Sequence, residues 1–150
     1  MSNTITEVDV RGPRFAAWVT TVVLVATLLV SAVSPALAAV ILALQAAVFA
    51  ASALRGPRRG PYGLIFAHFV APRLGPATER EPTAPLKFAQ LVGFVFAAVG
   101  VIGLAAGLTL LGQIATAFAL IAAFLNAAFG ICLGCQLYPL VARLKPVTVR

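Results

Sequence analysis

The sequence predicts an all-α membrane protein: four transmembrane helices forming two helical hairpins, with a short interfacial helix in the central cytoplasmic loop. Three observations carry this. Of the 150 residues, 61% are hydrophobic and 10% charged, which lies outside the range of soluble domains. Four runs, at about 15–33, 36–54, 88–107 and 114–133, contain no charged side chain. The 11 basic and 4 acidic residues all fall in the first tail, the central loop or the last tail.

Residues 1–14 form a polar tail carrying Glu7, Asp9, Arg11 and Arg14, in which Gly12 and Pro13 break any helix just before the apolar run. Residues 15–33 make the first span, 19 residues that at 1.5 Å each cross roughly 30 Å of hydrocarbon. Ser34 and Pro35 stop it, and residues 36–54 return as the second span. A rival reading takes residues 1–38 as a signal peptide cut after Ala36-Leu37-Ala38. The apolar run is longer than the usual signal core of about 7–15 residues, which favours the hairpin.

The loop at 55–87 holds six basic residues, Glu79, Glu81 and six of the ten prolines. Within it Tyr62, Ile65, Phe66 and Phe69 recur at helical spacing between arginines, as in a helix lying in the membrane surface. After Pro72 the segment to Pro85 reads as irregular. In the third span, 88–107, Gly93, Gly100, Gly103 and Gly107 share a face that permits close approach of another helix. If that helix belongs to a homo-oligomer or larger complex, a leucine at Gly100 or Gly103 would release the chain from it. An uncharged turn at 108–113 leads into the fourth span. Arg14-Phe15-Ala16 and Lys87-Phe88-Ala89, 73 residues apart, open the two hairpins alike and suggest a parallel repeat.

Basic loops remain on the cytoplasmic side, so one orientation satisfies all three charged segments: both termini and the central loop in the cytoplasm of a multi-pass inner (plasma) membrane protein. The basic excess therefore reads as topology. Nucleic-acid binding is not expected, because no basic stretch is interleaved with stacking aromatics.

The two cysteines, Cys132 and Cys135, fall at the cytoplasmic end of the fourth span. Spacing of three brings such side chains into bonding range as a redox dithiol, a persulfide carrier or half of a metal site. In the reducing cytoplasm a transient disulfide is the better reading than a permanent one. Pro139, with Gly130 and Gly134 framing Cys132, points to a helix break near 134. At the start of a new helical segment the dipole favours a thiolate; at the end of an unbroken one it opposes it. Two small buried residues packing near a helix end is the bland alternative. A zinc or iron–sulfur site would need further ligands, from His68 or a second copy of the chain. Gln45 and Asn126 lie at similar depth and can hydrogen-bond each other as a polar floor beneath the cysteines, or serve as interhelical glue. His68, the sole histidine, is a candidate base or ligand on the same side. No catalytic triad, phosphate-binding loop or paired intramembrane carboxylate occurs, and no cofactor is expected.

With these residues in hand, the chain resembles the small membrane family catalogued as domain of unknown function 4395. Val8-Asp9-Val10-Arg11-Gly12-Pro13-Arg14-Phe15 is similar to the family's opening. The segment from Phe124 and Asn126 through Cys132-Leu133-Gly134-Cys135 to Tyr138 is similar to its closing Cys-x-Gly-Cys signature. The chain departs from the pattern at Val10 and Gln136. The resemblance implies association with rhodanese-like sulfurtransferases and thioredoxin-like proteins, hence thiol or sulfur traffic. Three functions follow as expectations: a thiol carrier with a soluble partner, a passage component for a small sulfur-containing anion drawn by Arg58, Arg59 or Arg143, or a subunit packed through its glycines.

Overall fold

A computed structural model describes residues 7–76 and 79–144; the tail residues Lys145 and Arg150, with 1–6 and 77–78, lie outside the described residues. Four helices are long and apolar enough to span a membrane: α1 (Arg11–Ser31), α2 (Pro35–Arg55), α4 (Thr83–Ala105) and α5 (Thr109–Phe129). At 21–23 residues each reaches a little over 30 Å. Around the bundle α1 neighbours α2, α2 neighbours α4, α4 neighbours α5, and α5 closes on α1. The interior is filled by Leu24, Leu42, Ala97 and Leu104, with Thr27 and Thr116 fully buried among them. Thr27 and Thr116 turn their hydroxyls back onto the carbonyls of Val23 and Gly112, which satisfies them without water.

The local signals explain the boundaries. Ser34 caps α2 by accepting the Leu37 N–H at 3.2 Å, and Pro35 occupies the first helical position, where a missing N–H costs nothing. Helix α1 begins at Arg11, four residues before the uncharged run. Pro13 does not break it, because Pro13 sits in the first turn, where its nitrogen has no intrahelical partner to lose. Pro85 does the same in α4, which begins at Thr83 and not at 88. Helix α5 starts at Thr109, so the second turn is shorter than 108–113.

The first tail and the central loop form one strapped unit. Strand β1 (Glu7–Asp9) pairs antiparallel with β2 (Arg80–Pro82), Asp9 opposite Arg80, where the sequence suggested a free tail and an irregular segment. The Arg11 guanidinium grips the Asp9 carboxylate at 2.7 Å and donates to the Gly75 carbonyl at 2.9 Å. Hydrogen bonding from Arg11 holds the Asp9 carboxyl below the usual carboxylate range. The expected interfacial helix is present as α3 (Pro61–Ile65), continued by a π turn at Phe66–Val70 and a 3₁₀ turn at Ala71–Arg73. Phe66 is buried, its ring 5.9 Å from that of Phe15.

The glycine face of α4 does meet other helices closely, but inside the chain. A Cβ on Gly93 would stand 2.8 Å from the Phe49 ring, one on Gly100 2.6 Å from Leu42, and one on Gly103 2.7 Å from the Gly112 nitrogen. Gly107 lies in the exposed turn with φ +85° and nothing nearby. This corrects the expectation of an oligomer or complex through these four residues: three are consumed against α2 and α5, and the fourth makes a turn.

The two halves run in parallel. Phe15 packs on the short helix that follows α2, and Phe88 packs at 5.9 Å on Tyr138 of the short helix α6 (Leu133–Leu144) that follows α5. Gly56 and Gly130, at φ +97° and +72°, close α2 and α5.

Candidate functional site

Helix α5 ends at Phe129 because Gly130 adopts the left-handed conformation, which glycine reaches without steric cost. The Ile131 N–H then turns back to the Leu125 carbonyl at 3.1 Å, and a new helix, α6, begins at Leu133. The break therefore lies at 130–132, upstream of the expected position near 134. Gly130 sets it; Pro139 sits inside α6.

Cys132 stands immediately before α6, at its N-cap. Its Sγ accepts the Cys135 N–H at 3.0 Å, and its carbonyl accepts the Gln136 N–H at 3.1 Å. Sulfur occupies the place that a serine or aspartate oxygen takes in an ordinary cap. Cys132 and Cys135 are joined as a disulfide, with Cα atoms 5.2 Å apart. Both are partly buried. Between them, Gly134 presses on α4: a Cβ there would lie 2.7 Å from both Cα and Cβ of Ala89. The Phe88–Tyr138 pair holds the next turn of α6 to the same helix.

Arg14, which the sequence presents as a tail charge and as the start of a repeat, belongs to this site. Its Nη2 donates to the carbonyls of Ala127 and Ala128 at 3.0 and 3.4 Å, and its guanidinium carbon reaches within 4.0 Å of a Cβ built on Gly130. It neutralises the last carbonyls of α5 at the base of the cysteine turn. Replacing Arg14 by glutamine is expected to cost about 1 kcal/mol and to speed amide exchange at residues 130 and 131. Hydrogen–deuterium exchange measures this, and an unchanged pattern would separate Arg14 from the turn.

Beneath Cys132 lies a cavity of about 280 Å³. Asn126 lines it together with Cys132, and so does Gln90 of α4, which the sequence did not single out. Gln45 is not part of this floor. It is 1% exposed, donates to Thr20 at 3.4 Å and accepts the Tyr62 hydroxyl at 2.6 Å, so the interfacial helix takes the oxygen that Asn126 was expected to meet. Burial pushes the Tyr62 phenol up. His68 is exposed in the π turn and lines neither this cavity nor the one beside Asp9 and Arg11. Among the described residues no group of three His, Cys, Asp or Glu stands together as metal ligands.

A family model matches residues 8–143, nearly the whole chain, and its description is domain of unknown function DUF4395. The chain belongs to the DUF4395 family. No curated protein and no solved structure matches it. The DUF4395 match opens in the ribbon, at Val8, and closes in α6, at Arg143. The strapped loop, the bundle and the cysteine turn all fall within the family's extent.

Proposed function

We propose that this DUF4395 protein is a membrane-anchored thiol carrier whose Cys132–Cys135 pair exchanges electrons or sulfur with a soluble thioredoxin-like or rhodanese-like protein in the cytoplasm. The observation that carries the reading is the cap: the Cys132 sulfur, at the start of a 12-residue helix, receives the Cys135 N–H at 3.0 Å. A thiolate released there would be met by an amide and by the positive end of a helix dipole. The basic residues of the first tail, the central loop and the last tail support a cytoplasmic orientation for both termini and, with it, a location in the inner (plasma) membrane.

In the disulfide version, a partner thiolate attacks the Cys132 sulfur and Cys135 leaves as the thiolate. The partner's second thiolate then attacks the partner sulfur of the mixed disulfide, releasing Cys132; two electrons have moved to this chain. In the sulfur version, the Cys132 thiolate takes the terminal sulfur of a partner persulfide and the partner thiolate leaves. Exposed Arg58 and Arg59 beside the interfacial helix offer a partner a basic surface. The tightly filled mid-bundle around Leu24, Leu42 and Thr116 favours a carrier over passage of a sulfur-containing anion.

Single cysteine variants test the reading. Cys135→Ser is expected to trap a partner on Cys132 as a mixed disulfide, visible by mass spectrometry, while Cys132→Ser traps none. Failure to capture any protein with either variant, in oxidising and reducing conditions, would sink the carrier. A membrane-impermeant thiol reagent is expected to label the reduced pair in inverted vesicles only; labelling of right-side-out vesicles would reverse the orientation.

A further inference from the structure

The cavity beneath Cys132 has a shape and lining that the exchange with a soluble partner does not use. It begins at Cys132 and Gly134 and runs between α1, α4 and α5 as far as Phe96 and Phe118, whose rings are 6.1 Å apart. Its volume, about 280 Å³, approaches that of small-molecule pockets, roughly 300–1,000 Å³. Six alanines and two glycines stand among otherwise largely apolar lining residues, and no charged residue lines it. Phe96 and Phe118 are exposed on the outside of the bundle, so the slot opens to the hydrocarbon. Near its cysteine end stand two side-chain amides, Asn126 and Gln90, that hydrogen-bond to no other group among the described residues.

A ligand suited to this slot is neutral, lipid-soluble and equipped with carbonyl acceptors for the two amides, and it arrives beside a redox-capable sulfur. We propose that the slot binds the ring of a lipid-soluble quinone, which oxidises the Cys132–Cys135 dithiol; the proposal rests on the thiol reading above. The Cys132 thiolate adds to a ring carbon. The Cys135 thiolate then attacks the Cys132 sulfur, the carbon–sulfur bond breaks, and its electron pair stays with the ring. The two thiol protons end on the ring oxygens, so dithiol and quinone become disulfide and quinol. Asn126 and Gln90 donate to the ring carbonyls and hold the ring against the sulfur.

The full-length protein in lipid nanodiscs tests this. After reduction and removal of reductant, a decyl-substituted benzoquinone is expected to yield one quinol per chain, followed by absorbance, with loss of both free thiols. Ala123→Phe, which fills the slot, is expected to slow this by at least about tenfold. As a second measurement that does not depend on how that variant folds, an azido-quinone is expected to photolabel slot residues of α5 and α1 in the parent protein. Excess unlabelled quinone should block the labelling and a fatty acid should not. Labelling spread over the bundle exterior, or displaced equally by fatty acid, would mean a lipid-filled groove and overturn the proposal, as would equal rates in parent and Ala123→Phe. If the quinone fails while Cys135→Ser still traps a soluble partner, the thiol carrier stands and only its oxidant is lost. Failure of both removes both.

Discussion

Alanine in place of Gly134 is expected to lift α6 away from α4 and to open the cysteine turn. The added Cβ would stand 2.7 Å from the Cα of Ala89 as well as from its Cβ, so no side-chain rotation relieves the contact. Overpacking of this kind costs about 1–3 kcal/mol, and α6 has little with which to resist it. The Phe88–Tyr138 ring pair is a second contact with α4. Once α6 shifts, the Cys135 N–H no longer meets the Cys132 sulfur. The four long helices keep their own core, so far-UV circular dichroism is expected to change little. Amide exchange in α6 should rise, and alkylation of reduced Cys132 should require higher pH than in the parent. Ala89→Gly in the same background is expected to restore only part of the docking, because the Cα of residue 89 is as close as the Cβ it removes. Full docking in Gly134→Ala would show that the cap does not depend on this contact.

The largest loss of stability is expected from Gly103→Leu. There the Cβ faces backbone: the nitrogen and Cα of Gly112 at 2.7 and 3.0 Å and the Leu108 carbonyl at 3.1 Å. A Cβ on Gly112 would in turn stand 2.6 Å from the Leu104 side chain and 3.0 Å from the Gly100 carbonyl, so α4 and α5 pass almost backbone to backbone. In lipid, association rests on such packing. Separating the two helices by a side-chain diameter forfeits the Gly100–Thr116 and Leu104–Gly112 contacts together, a loss above about 3 kcal/mol. A denaturing-detergent titration measures it. Gly107→Ala serves as comparison: nothing lies within 4 Å of its Cβ, and the strain comes only from φ +85°, about 1 kcal/mol. Equal midpoints for the two variants would show that the close crossing does not hold the bundle.

The sequence made the four spans legible because hydrophobic runs and charge placement are local, and the membrane imposes length on them. The short helix leading to Phe66 and a break at the end of the fourth span were legible for the same reason, through periodicity and glycine, although the break falls at Gly130 and not near 134. What depended on distant partners was not. Nothing in Glu7-Val8-Asp9 announces a strand until Arg80-Glu81-Pro82 is brought beside it, more than 70 residues away. Arg14 reads as a topological charge until α5 delivers its last carbonyls to it. Gln45 and Asn126 matched in depth, yet Tyr62 reached Gln45 from the surface helix. The glycines of α4 signalled a close contact without saying whether the partner lay in the same chain.

Gly56 and Gly130 each end a long helix at positive φ, Gly130 in the left-handed helical region and Gly56 with an extended ψ of 156°, and each is followed by a shorter helical segment. After Gly56 the chain continues Pro57-Arg58-Arg59; after Gly130 it continues Ile131-Cys132. The scaffold thus provides two ports, one where each hairpin's second helix ends, and the residues placed after the two glycines differ. One port is furnished with charge and one with sulfur, so the residues after each glycine can change without altering the helices that hold them.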